Sequence, residues 1–135
     1  MNDKRTNVLI SWYLLYFTYG FIPIIAGLDK YFYFLADWSM YLNHAIPEFL
    51  GIQPHNFMLG VGIIEIFAGL LVFFKPKIGG LVVCIWLILI SINLVSMGTH
   101  THNGHAMVHY DVAVRDIAMA IGAYVLMLLS KELKK

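Results

Sequence analysis

Apolar residues are gathered into four long runs, at about 8–28, 57–74, 78–97 and 108–129. A helix of about 20 apolar residues crosses a 30 Å hydrocarbon core, and all four runs are near that length. A spanning segment must satisfy its own backbone, so the pattern predicts four transmembrane helices. Pro23 falls inside the first and predicts a kink there. Pro76 with Gly79–Gly80 predicts a short turn between the second and third, which makes those two antiparallel neighbours. The first run is too long for the apolar part of a signal peptide, and no small-x-small site follows it. It is expected to stay as a span.

Composition agrees with the pattern: 60% of residues are hydrophobic and 13% charged, against about a quarter charged in a soluble domain. The net charge of +1 gives no reason to expect a nucleic-acid partner. Cys84, the single cysteine, excludes an internal disulfide and reads as a small core hydrophobe. No repeat or second domain is visible, and the expected fold is an all-α, four-helix membrane bundle forming one domain over residues 1–135.

The cations orient it. Lys4, Arg5, Lys75, Lys77, Lys131, Lys134 and Lys135 fall at one end of a four-span chain, and only Lys30 and Arg115 at the other. The positive-inside rule makes the first end, with both termini, cytoplasmic. The connection from Asp29 to His55 then lies outside. Its "KYFYFLADWSMYL", dense in aromatics and carrying Asp37, predicts a short interfacial helix.

Polar groups within spans are costly and mark function by default. They are Asp29, Lys30, Glu65, Asn93, Arg115 and Asp116, with Asp111 spaced i,i+4 from Arg115. At 1.5 Å per residue Glu65 is about 15 Å from the outer end of its helix, and Asn93 and Asp116 about 10 Å. Charge is thus confined to the outer half and midplane, which predicts either an outward polar pocket or a buried ion network. Glu65 shares a face with Gly62 and Gly69, so it should point into the bundle.

"HTHNGHAMVHYDVAVRD" (residues 100–116) precedes and opens the fourth span. His105 and His109 are i,i+4, the spacing that sets two imidazoles on one helix face. His100 and His102 are expected in the loop, and Asp111 could add an oxygen. A zinc or copper site suits these residue types, and a solvated loop suits them as well. His44 and His55 lie in the other outer loop.

"GLDKYF" after the first span, "GIIEIFAGLLVFFKPKIGG" through the second span and turn, and "YDVAVRD" at the fourth resemble the DoxX family over nearly the whole chain. The resemblance implies a small four-helix protein of the bacterial cytoplasmic membrane. Some such relatives belong to membrane oxidoreductase systems, including a thiosulfate:quinone oxidoreductase subunit. It carries the family's polar positions onto Gly27, Asp29, Lys30, Glu65, Arg115 and Asp116. The His-rich segment before Tyr110 is unlike the family's usual short connection.

Two functions follow as expectations. One is a quinone-linked redox subunit: the headgroup would enter an outward pocket, Arg115 or Lys30 would bond its oxygen, and Glu65 or Asp116 would exchange protons. With no haem pair, CxxC or nucleotide motif, and no covalently bound cofactor expected, a partner membrane or extracytoplasmic subunit would have to supply the electrons. The other is an accessory subunit of a larger membrane complex, or an oligomer, in which the charges are an internal clasp. Solute or metal transport is weaker, because four spans without repeats are few for a lone transporter.

Overall fold

The computed structural model describes residues 2–32, 34, 45–100 and 106–133, without the side chains of 2, 45, 54, 97–100 and 106–109. The described chain is all-helical: α1 Asn2–Phe32, α2 Ala45–Leu50, α3 Pro54–Phe74, α4 Pro76–His100 and α5 Ala106–Leu133. The four long helices coincide with the four predicted spans and are long and apolar enough to cross a membrane. α1 continues through Pro23. Most of "KYFYFLADWSMYL" and His44 lie outside the described residues. The short helix seen in that connection, α2, comes later in the chain. It closes at Gly51, whose φ of 71° is a conformation that costs glycine little, and the Ile52 N–H bonds back to the Pro47 carbonyl at 2.9 Å.

α3 and α4 are separated by Lys75 alone. Pro76 opens α4, where its missing N–H costs nothing. A side chain on Gly79 would run into the backbone of Val72, so this glycine lets the first turn of α4 lie against the last turn of α3. α1 packs mainly on α3 and α4 mainly on α5. The two pairs join through α3 with α4 and α1 with α5.

The core lies toward the end that holds the chain termini and is built mostly of small residues: Ala68 and Val72 of α3, Val83 and Cys84 of α4, Ala120 and Ala123 of α5, with Leu126 of α5 the largest. Aromatic side chains of α1 cover it and bond to its neighbours. Trp12 Nε1 donates to Ser130 Oγ at 2.7 Å, Tyr16 to the Phe73 carbonyl at 2.8 Å, and Tyr19 to the Met119 carbonyl at 2.5 Å. The outer surface stays apolar on every long helix, with Leu14 and Phe21, Phe67 and Phe74, Ile85 and Ile92, Val114 and Ile121 all exposed. Monomeric soluble proteins rarely show so continuous an apolar surface, whereas a bilayer asks for one.

Candidate functional site: a buried ion cluster

Close approach of α1 and α3 creates the site. A methyl group on Gly27 would stand 2.5 Å from the Gly62 carbonyl oxygen, and one on Gly69 2.6 Å from the Gly20 carbonyl oxygen. Only glycine permits backbones this near. With Gly27 opposite Gly62 in an antiparallel pair, Lys30 lies one turn beyond on one side and Glu65 one turn beyond on the other, about 9 Å apart along the axis. Helical side chains lean toward their own N-terminus. Lys30 therefore leans into the bundle and Glu65 leans toward the loop end, and the two close the gap: Nζ to Oε2 is 2.5 Å.

Both partners are buried, with Lys30 2% exposed. The other Glu65 oxygen, Oε1, receives the Trp86 indole N–H of α4 in a long 3.4 Å hydrogen bond. One carboxylate thus holds three helices. Asp29, also buried, accepts the Phe34 backbone N–H at 2.8 Å and ends α1. Asp116 enters from α5, 7% exposed and within electrostatic reach of Glu65. No hydrogen bond or ion pair reaches its carboxyl group among the described residues. Ser91 of α4, buried, bonds the Ala113 carbonyl at 3.1 Å one turn before Asp116 and fixes α4 against α5 at this level.

The structure brings Asp29, Lys30, Glu65 and Asp116 into one region and sets Arg115 and Asp111 apart from it. Those two form an i,i+4 pair at 2.9 Å, with side chains 71% and 59% exposed. The reason is helix phase: Ala113, Asp116, Ala120 and Ala123 make the inward stripe of α5. Arg115 is a 100° step away from it, and Asp111 shares its outer face. Arg115 thus stands outside the cluster that the sequence had expected it to serve. Asn93 is half-buried on α4, where its carbonyl accepts the Ser96 hydroxyl at 2.6 Å.

Trp86 was not singled out from sequence. Its signal was position: a tryptophan ten residues into a span, away from either interface, needs an acceptor for its N–H. His100 ends α4 instead of lying in the loop. The side chains of His100, His102, His105 and His109 lie outside the described residues, and among the described ones no group of three or more His, Cys, Asp or Glu could hold a metal ion.

Two grooves open on the surface of the bundle. One, of about 170 Å³, lies between α3 and α4 on Ile64, Ala68, Ile85 and Leu89, with Trp86 beside them. Its apolar lining suits a hydrocarbon chain better than a quinone headgroup, and the indole is what separates it from Glu65. The other is at the termini end. No family model matches the chain, and no curated protein or solved structure matches it.

Proposed function

We propose that this chain is a four-span membrane protein with both termini on the cytoplasmic side, acting as an accessory subunit of a larger membrane assembly. In this reading the ion cluster is an internal clasp. The supporting observation is the buried Lys30–Glu65 pair, extended by Trp86, which joins α1, α3 and α4 through one carboxylate. The apolar perimeter gives lipid or a partner subunit its contact surface. The DoxX resemblance is part of the same proposal and fits a bundle of this size.

One observation favours a second reading, a quinone-linked redox subunit. Asp116 is a buried carboxyl group with no hydrogen-bond partner among the described residues, within electrostatic reach of a carboxylate already occupied by lysine. Such a group can exchange a proton with a bound quinone while a partner subunit delivers electrons. When bound, a quinone would supply the two-electron chemistry. Asp116 and Glu65 are this chain's groups for the protons.

Substitution separates the readings. Asp116→Asn and Glu65→Gln are made in the native host, and abundance, co-purifying subunits and quinone-linked turnover of the membranes are measured. The clasp reading expects Glu65→Gln to lower abundance and Asp116→Asn to change little. Full abundance of both variants with loss of turnover would replace it with the redox reading.

A further inference from the structure

The second groove lies at the termini end of the bundle. It has a volume of about 330 Å³ and lies among Trp12, Tyr13, Tyr16, Phe73, Phe74 and Ser130. Its walls come from α1, α3 and α5, and its rim from the α3–α4 turn. Phe74 and Tyr13 are exposed, so the groove opens sideways to the surroundings of the bundle. The trapped polar atoms here already have partners: the Trp12 N–H is on Ser130 and the Tyr16 hydroxyl on the Phe73 carbonyl. What remains for an occupant is a mostly apolar, aromatic trough.

The ends of the same helices carry cations. Lys75 follows Phe74, Lys77 lies in the first turn of α4, Lys131 follows Ser130, and Lys4 and Arg5 lie one turn before the α1 wall, all exposed. Against these five, the described acids at this end are Asp3 and Glu132, and the sequence adds Lys134 and Lys135. A trough for hydrocarbon under a rim of positive charge matches one ligand chemistry: an amphiphile with acyl chains and an anionic phosphate headgroup. Basic sites between helices at the cytoplasmic face take such headgroups.

We infer that this groove is a binding site for an anionic phospholipid, its acyl chain against Trp12, Tyr13 and Phe74 and its phosphate among Lys75, Lys77 and Lys131. The inference rests on the membrane-spanning part of the proposed function and on neither reading of the ion cluster.

Trp12 lies in the groove and reports on it. The full chain is reconstituted in zwitterionic vesicles containing a small fraction of bromine-labelled lipid, either phosphatidylglycerol or phosphatidylcholine. The Trp12 signal is the difference between wild type and Trp12→Phe. The labelled anionic lipid is expected to quench Trp12 at a several-fold lower mole fraction than the zwitterionic one. In Lys75→Gln/Lys77→Gln, which alters only exposed side chains, most of that several-fold preference should be lost, with helix content unchanged by circular dichroism. Equal quenching by the two lipids overturns the site and leaves the membrane reading standing. So does a preference indifferent to the two lysines, or one removed by free inorganic phosphate. Quenching by neither lipid overturns both.

Discussion

Lys30→Met tests the clasp directly. Methionine nearly keeps the length and volume of the lysine stem, so the packing of that stem on α3 changes little, and the loss is the ammonium group. Glu65 is then left buried, with the Trp86 N–H at 3.4 Å as its remaining donor in the clasp and the Asp116 carboxyl group within electrostatic reach. Removing one partner of a buried pair costs about 3–5 kcal/mol, because the other charge is stranded. A single long hydrogen bond recovers about 1 kcal/mol of that at most, so a net loss of about 3 kcal/mol is expected. Lys30→Met/Glu65→Gln should recover most of it, because a neutral pair of similar shape strands no charge. The coupling energy should then be at least about 2 kcal/mol. The assay is reversible unfolding in mixed micelles followed by circular dichroism, on wild type, both singles and the double. A single-variant loss below about 1 kcal/mol, or a double variant equal to the sum of the singles, would refute the clasp.

Gly27→Ala places a methyl 2.5 Å from the Gly62 carbonyl, so α1 and α3 must part; the expected cost in the same unfolding assay is about 1–3 kcal/mol. Gly60→Ala, with nothing within 4 Å of the added methyl, should be neutral or gain up to about 1 kcal/mol of helix propensity. Arg115→Gln breaks an exposed pair and should cost under about 1 kcal/mol; a loss near that of Lys30→Met would place Arg115 in the cluster after all. Tyr19→Phe removes one α1–α5 hydrogen bond and should cost about 0.6 kcal/mol, as interhelical bonds in membranes average, read as a shift of the unfolding midpoint.

The four long helices were legible because run length and backbone satisfaction leave no other choice for such segments. Their ends were less so: α1 reaches Phe32 and α4 reaches His100, since polar residues such as Lys30 can stay helical when a partner meets them. The cost of burying charge pointed to Lys30, Glu65 and Asp116. It could not pair Lys30 with Glu65, because that pairing depends on the register at which Gly27 meets Gly62. Charge alone also misled at Arg115, since it says nothing about direction around a helix. The small residues Ala113, Ala120 and Ala123 held that information: they share a stripe with Asp116 and leave Arg115 outside it.

The distribution of polar groups along the bundle limits what the cluster can exchange with. On the termini side of Glu65 and Asp116 stands the packed core of Ala68, Val72, Val83, Ala120, Ala123 and Leu126. Beyond it, the Trp12, Tyr16 and Tyr19 donors are already used on neighbouring helices. That half offers no line of free polar groups among the described residues, so a proton or headgroup has no favourable route through it. On the other side the polar series continues from Glu65 to Lys30 and Asp29, where α1 ends. Clasp or proton site, the cluster's polar connections among the described residues run toward the loop end. A carboxyl reagent that cannot cross the membrane should label Asp116 only from the face opposite the chain termini. Labelling of Asp116 from the termini side in sealed, oriented vesicles would show that the core does not close that half of the bundle.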